Sequence, residues 1–270
     1  MLEMKHVSLR YGEDGPEILQ DVSLTFGKGE FVALTGRNGS GKTTITRLLT
    51  GLETPTAGQI FFDGKDVTKE SAAYRSGFIG YVFQQPDRQM FMQTVREEVG
   101  FGPFQRGKRG TELDEIVNEA MEAADITALA DEYPRTLSRG DQQRCAIASA
   151  LAMNTEYLVL DEPTSGQDGR EKKRLCALMN RLRDRGITIL LVTHDMDIVA
   201  GQASRVLVLA GKQIAFDGEP EELFSHGARP EEWGLAAPTA VKLGEALPGA
   251  PYCKDMETFC KMYRKAAMGK

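Results

Sequence analysis

Four short stretches of the chain carry side chains able to work on a phosphate. The segment GRNGSGKT sets glycines at positions 36, 39 and 41 just ahead of Lys42 and Thr43. Gly36, Gly39 and Gly41 let the backbone turn tightly and aim its N–H groups at an anion. Lys42 can then reach the outer phosphates of a nucleotide, and the Thr43 hydroxyl can ligate a divalent cation. Asn38, Ser40 and Thr44 add polar groups to the same loop and helix start. A second stretch, TEYLVLDEP, ends an apolar run in Asp161 and Glu162. Asp161 suits a Mg2+ partner, and Glu162 is placed to polarise an attacking water. A third, ITILLVTHD, ends in His194, which can contact a terminal phosphate or cap the next helix. In the fourth, FIGYVFQQPD, Gln84 follows an apolar run; its amide both donates and accepts, so it can touch metal-bound water and a moving segment together.

These groups need a scaffold that brings strand ends together. Phe31 to Thr35 and Tyr157 to Leu160 read as buried strands, as do the runs ending at Val82 or Phe83 and before Thr193. Thr43 to Leu52 has helical spacing, which gives the strand, loop, helix order that a phosphate loop requires. In a doubly wound sheet the C-terminal strand edge binds ligands, so the carboxylates at 161 and 162 should face the phosphate loop. KHVSLRY and EILQDVSLTF predict an antiparallel layer at the N-terminus. Residues from 86 to about 155 read as helical: VREEVGFGPFQ, LDEIVNEAMEAADI, and an amphipathic helix QQRCAIASAL. That last helix is preceded by LSRGD, expected as a loop. Its Arg139 and Asp141 stand where a phosphate-binding turn prefers smaller residues. Either it works in a site, or it is a helix start with a charged cap.

Composition limits the classes open to the chain. Its 270 residues are 41% hydrophobic and 27% charged, as in ordinary soluble globular proteins. No apolar run reaches the roughly 18 to 20 residues needed to cross a bilayer, and the start, MLEMKHVSLRYG, lacks the apolar region of a secretory signal. Cys145, Cys176, Cys253 and Cys260 are scattered without metal-ligand spacing and read as reduced cytosolic thiols. Of the three histidines, His6 and His226 have no setting comparable to that of His194. The net charge of −6 argues against nucleic acid as a partner.

Taken in order, the phosphate loop, Gln84, LSRGDQQR, LVLDEP, SGQD and His194 resemble the ATPase subunit of ABC transporters, from residue 3 to about 224. The resemblance implies an α/β fold: a P-loop NTPase (RecA-like) core with an N-terminal antiparallel β layer, a helical subdomain and a C-terminal helical extension. Residues 1–225 would form the ATPase domain (core 1–85 and 156–225, helical subdomain about 86–155), and 226–270 the extension. It implies ATP and Mg2+ as ligands, with Tyr11 stacking on adenine. Lys42, Thr43, Gln84 and Asp161 would hold MgATP, Glu162 would act on water, and His194 would steady the γ-phosphate. Two subunits would sandwich ATP. Each would offer a signature to the partner's phosphate loop, with Asp168 of the SGQD turn coupling the two sites. The family signature is LSGGQ; Leu137, Ser138 and Gly140 match it, whereas Arg139 and Asp141 depart. The two groups that meet phosphate in the family, Ser138 and Gly140, are retained, so a functional signature is expected; a weakened half-site in an asymmetric dimer is the competing reading.

Within that family, FQQPDRQMF, TSGQD and the tail WGLAAPTAVKLGEAL are similar to the ATPases of energy-coupling factor (ECF) vitamin and metal importers. Val241, Leu243 and Leu247 would give the tail an apolar, dimerising side, and the last segment reads as a basic amphipathic helix. The implied setting is the cytoplasmic face of a membrane, beside integral membrane transport subunits, as a homodimer or with a second ABC ATPase. A conventional importer ATPase and a soluble, non-transport ABC ATPase are the alternatives.

Overall fold

The computed structural model describes residues 1–12, 15–224, 229–246 and 252–268. His226 and Leu247 lie outside the described residues. β1 (Leu2–Arg10) and β2 (Glu17–Phe26) form the expected antiparallel pair. Leu2, Met4, Val7 and Leu9 of β1 face inward with Leu19, Val22, Leu24 and Phe26 of β2, while the intervening positions are wetter. β3 (Phe31–Thr35) leads through the phosphate loop into α1 (Lys42–Thr50). β4 (Ala57–Phe62) pairs with the other side of β1, and β5 (Lys65–Asp66) completes this four-stranded sheet. After α2 (Ala72–Arg75), β6 (Ile79–Val82) enters a second sheet.

Three helices follow: α3 (Val95–Gln105), α4 (Gly110–Ala123) and α5 (Arg139–Leu151). α3 opens with a capping box, in which Thr94 and Glu97 each satisfy a backbone N–H of the other. The chain then alternates β7 (Tyr157–Asp161), α6 (Gly169–Asp184), β8 (Thr188–Val192) and α7 (Met196–Gln202). A hairpin of β9 (Arg205–Ala210) and β10 (Gln213–Gly218) is followed by α8 (Pro220–Phe224), α9 (Thr239–Glu245) and α10 (Met256–Met268).

The second sheet has the order β10-β9-β3-β8-β7-β6 and is parallel except for β10. Every residue of β3, β7 and β8 is buried. This is the near-continuous apolar run of a strand covered on both faces. One hydrophobic cluster joins α1 and the antiparallel sheet to one face of β3, β6, β7 and β8. Another joins α3, α4, α5 and α6 to the opposite face.

Two expectations are corrected here. LSRGD is not a loop: Ser138 is the N-cap of α5, and Arg139, Gly140 and Asp141 form its first turn. Nor is α5 amphipathic, because every residue from Gln142 to Ala148 is buried. The helix packs against α3, α4, α6 and β6, which leaves little of it facing water. In the tail, Val241 is 2% exposed and packs into this chain's own cluster with Val199, Leu223 and Leu235, whereas Leu243 is 38% exposed. Val241 therefore does not contribute to an outward apolar side. The last helix does form, as α10, with Met256 and Tyr263 exposed and Phe259 stacked on Tyr263. Cys145, Cys176 and Cys260 are free thiols.

Candidate nucleotide site

Because β3, β8, β7 and β6 are parallel neighbours, their C-terminal ends lie along one edge. Leu34 pairs with Val192, Val192 with Asp161, and Leu160 with Val82. That register sets the phosphate loop, His194, the Asp161–Glu162 pair and Gln84 side by side, as the motif order predicts.

The phosphate loop is tightly constrained. Gly36 has φ +142°, and a Cβ there would lie 2.3 Å from the Leu209 carbonyl oxygen, so a side chain has no room. Gly41 precedes α1 at φ +108°, a conformation that glycine adopts without steric cost. Lys42 Nζ donates to the Gly36 carbonyl at 2.8 Å and to the Arg37 carbonyl at 3.1 Å, which closes the loop around its own lysine. Burial pulls the Lys42 pKa down, while Glu162 and Asp161 oppose that shift. The Ser40 hydroxyl is buried with no hydrogen-bond partner. Such an orphan fits a phosphate oxygen. Asn38, Gly39 and Thr43 are exposed at the loop, and Thr44 is buried behind it.

Asp161 is buried, and that burial raises its carboxyl pKa; hydrogen bonds from Tyr81 and Thr43, with the charge of Lys42, act the other way. Next to it, Glu162 takes the left-handed φ of +48° and donates its N–H to the Val192 carbonyl at 2.9 Å. A non-glycine residue in that region is uncommon and turns the carboxylate away from the strand direction. Burial also raises the Glu162 pKa, against a lowering by His194. Nδ1 of His194 lies 2.6 Å from Glu162 Oε1, and the His194 ring is 61% exposed. The two side chains assigned to water and to the γ-phosphate are thus in direct contact.

Gln84 is exposed just past β6, and its carbonyl accepts a hydrogen bond from Arg139 at 3.3 Å. Tyr11 is 42% exposed, with its hydroxyl 3.4 Å from Glu53, which leaves a ring face open. Asp168 caps α6: its Oδ1 accepts from the Arg170 and Glu171 amides at 2.8 and 2.9 Å. Those two bonds hold its carboxyl below the usual range.

The head of α5 forms a closed network. The Ser138 hydroxyl donates to Asp141 at 2.5 Å and accepts from the Asp141 amide at 3.2 Å. Asp141 also binds Arg144, which reaches Glu171 of α6 at 3.1 Å. Gly140 is buried against Glu171, where a Cβ would lie 2.3 Å from the carboxylate. The Arg139 guanidinium is turned onto its own chain, beside Gly166 of the SGQD turn. Ser138→Ala should therefore lower the melting temperature by about 2–4 °C, for a lost cap of about 1 kcal/mol. Where the hydroxyl also meets the partner's phosphate, transport-coupled hydrolysis falls by about tenfold or more. Unchanged hydrolysis would leave Ser138 a cap and nothing else.

Two features were missed from sequence. Tyr81 donates to Asp161 Oδ2 at 3.0 Å; its only trace is a tyrosine in an otherwise aliphatic strand three residues before Gln84. The Arg144–Glu171 link has no local pattern, since its ends are 27 residues apart.

For the metal, Thr43 and Asp161 offer hard oxygen donors next to the phosphate loop. Two such oxygens fit Mg2+, which keeps most of its shell for water and nucleotide phosphates.

A glycine-rich loop between a buried strand and a helix, with a carboxylate pair on a parallel strand of the same sheet, defines a P-loop NTPase. A model of the ABC transporter family matches residues 19–165. A putative ABC transporter ATP-binding protein of Pyrococcus furiosus is 41% identical over 90% of this chain and 92% of its own. The energy-coupling factor transporter ATP-binding protein EcfA1 of Lacticaseibacillus paracasei is 37% identical over 92% of this chain and 89% of its own. A putative ABC transporter ATP-binding protein of Caldanaerobacter subterraneus subsp. tengcongensis is 41% identical, but this chain spans only 43% of its length. Among solved structures, cbiO1 of Clostridium perfringens, part of the ABC transporter complex cbiONQ, superposes with a TM-score of 0.78. It is 32% identical over 83% of this chain and 90% of its own. The dimeric ATP-binding cassette MJ0796 bound to ADP and Pi gives 0.71, at 29% identity over 82% of this chain and 99% of its own. The chain belongs to the ABC transporter family, as an ATP-binding cassette, the domain class that hydrolyses ATP.

Proposed function

We propose that the chain is the ATP-hydrolysing subunit that energises import of a vitamin or metal-ion micronutrient through separate membrane subunits, at the cytoplasmic face of the membrane. The observation that carries the ATPase part is the convergence of Lys42, Asp161, Glu162 and His194 on one sheet edge. The ECF assignment rests on the similarity to EcfA1 and on FQQPDRQMF and TSGQD. Residues 1–225 serve as the ATPase domain, with 86–155 as its helical arm, and 226–270 as an extension that takes part in dimer contacts.

In this reading the backbone of Gly36 to Gly41 and Lys42 bind the phosphates, while Tyr11 stacks on adenine. Thr43, Gln84 and Asp161 hold Mg2+, which when bound offsets charge on the phosphates. Glu162 takes the proton of the attacking water and His194 steadies the γ-phosphate. The partner's signature, its copy of Ser138 to Asp141, closes the second wall, and Asp168 carries the state of one site to the other.

The arm offers a place for a membrane subunit to press. Phe91 and Phe104 are 54% and 44% exposed beside a groove of about 340 Å3 lined by Met92, Phe101 and Leu113. Two backbone amides, of Phe91 and Met92, are held by the buried Glu98 carboxylate at 2.9 Å each, which fixes this face. No helix among the described residues is long and apolar enough to cross a membrane.

The test is a tagged pulldown from detergent-solubilised native membranes, with co-purifying chains identified by mass spectrometry. Small integral membrane proteins, with or without a second ATPase, are the expected catch. Soluble proteins alone would overturn the transport reading.

A further inference from the structure

The metal side of the site contains a side chain that the proposed function does not use. Side chains alternate along a strand, and β6 pairs in register with β7, Tyr81 opposite Val159. Ile79, Tyr81, Tyr157 and Val159 therefore share the sheet face that packs on Ile45 and Leu48 of α1. Asp161, two residues beyond Val159, points to that same face at the strand end. Tyr81 runs along the face and places its hydroxyl 3.0 Å from Asp161 Oδ2. On its other side the hydroxyl lies 3.4 Å from Thr46 Oγ1 of α1. Thr46 in turn donates to the Thr43 carbonyl at 2.9 Å. Each hydroxyl has a single proton, which Tyr81 gives to Asp161 and Thr46 to the Thr43 carbonyl, so the two hydroxyls only touch, and Tyr81 is the side chain that holds the carboxylate assigned to the metal.

We propose that Tyr81 is a positioning residue for the divalent cation, its hydroxyl on β6 fixing the Asp161 carboxylate at the end of β7 so that Asp161 presents an oxygen to the ion beside Thr43. The proposal rests on the reading of Thr43 and Asp161 as the metal side of the site. A phenol suits the task, because its hydroxyl is a donor on a rigid ring and lies within hydrogen-bond reach of Asp161 Oδ2. Without the hydroxyl, the carboxylate loses a fixed donor in a buried setting and gains rotational freedom. Groups that orient a metal ligand typically change affinity by about 10- to 100-fold when removed. The same tyrosine stands three residues before Gln84, so the strand that sets the carboxylate also leads into the Gln84 loop.

The test is a Mg2+ titration of fluorescent-ATP binding to the full chain, with binding in EDTA measured alongside. Tyr81→Phe should bind the nucleotide in EDTA as the unmodified chain does, and should need about tenfold more Mg2+ for its half-maximal metal response. Thr46→Val removes a hydroxyl whose proton goes to the Thr43 carbonyl and not to the carboxylate, and should leave the midpoint within about twofold. Asp161→Asn should shift it at least as far as Tyr81→Phe. A Tyr81→Phe midpoint within twofold of the unmodified chain, with Asp161→Asn shifted, overturns the role of Tyr81. If Asp161→Asn is also unshifted, the metal-site reading itself fails. Should Tyr81→Phe not fold, Tyr81→Met decides: an unshifted midpoint there, with Asp161→Asn shifted, overturns the role of Tyr81.

Discussion

Glu162→Gln should lower steady-state ATP hydrolysis by about a thousandfold while leaving ATP affinity within about twofold. The substitution keeps the size and one acceptor oxygen of the side chain but removes the base. Glu162 is held for that task by its φ of +48°, by the Val192 carbonyl that fixes its N–H, and by the His194 ring at 2.6 Å. With hydrolysis blocked, MgATP should remain between two subunits, so size-exclusion chromatography should move from monomer to dimer when MgATP is added. A rate within tenfold of the unmodified chain would sink Glu162 as the base, and a monomer with MgATP would sink the sandwich. The pH dependence has a definite sign. Burial is the largest influence on Glu162 and raises its pKa, only partly offset by His194. The working form is the carboxylate, so activity is lost as pH falls through that raised value, above the ordinary carboxylate range. The residual rate of Glu162→Gln should lack this acid limb.

Much of this site could be read from the chain because its residues sit at strand ends, and strands declare themselves as apolar runs. Phe31 to Thr35, Tyr157 to Asp161 and Thr188 to Val192 emerge as fully buried strands, and the phosphate loop, Glu162 and His194 each fall just beyond one of them. The antiparallel layer was legible for the same reason, as period-two burial in β1 and β2. What could not be read depends on how separate elements meet. The apolar positions of QQRCAIASAL do recur at helical spacing, yet Gln142, Gln143 and Arg144 are buried as well, since four other elements surround α5. Whether a polar residue is wet or enclosed is decided by that packing, not by periodicity. Likewise, Val241 fits a dimerising stripe by spacing but is taken up by a cluster within the same chain. Arg139 and Asp141 looked like departures from a phosphate-binding turn; Asp141 instead forms the cap network of α5, and Arg139 joins the Gln84 loop to the SGQD turn.

The largest stability effect is expected at a residue outside the motifs, Arg75. It is fully buried, yet among the described residues no carboxylate forms an ion pair with it; its guanidinium donates to five backbone carbonyls. Leu48 and Leu49 accept at 2.6 and 3.0 Å, Val67 and Thr68 at 2.6 and 2.9 Å, and Glu70 at 3.2 Å. The first two carbonyls belong to the last turn of α1, where Leu48 also takes the Gly51 amide at 3.3 Å and where the helix dipole favours a cation. Burial lowers the Arg75 pKa, but guanidinium stays charged in proteins. One side chain thus ties the end of the phosphate-loop helix to the connection between β5 and α2. Arg75→Met keeps similar bulk and removes every guanidinium donor; the Leu48 and Val67 carbonyls keep the Gly51 and Glu70 amides while the other three lose this partner, at a cost of about 3–5 kcal/mol. For a chain of this size that is a fall of about 6–20 °C in melting temperature. Arg75→Lys retains charge but only three donors at one point, and should recover roughly half of the loss. Thermal unfolding followed by circular dichroism, with and without MgATP, tests both. Nucleotide should raise the melting temperature of each variant that still binds it. A melting temperature for Arg75→Met within 3 °C of the unmodified chain (a cost under about 1.5 kcal/mol) would show that α1 is held by its apolar face alone, and that the buried cation adds little.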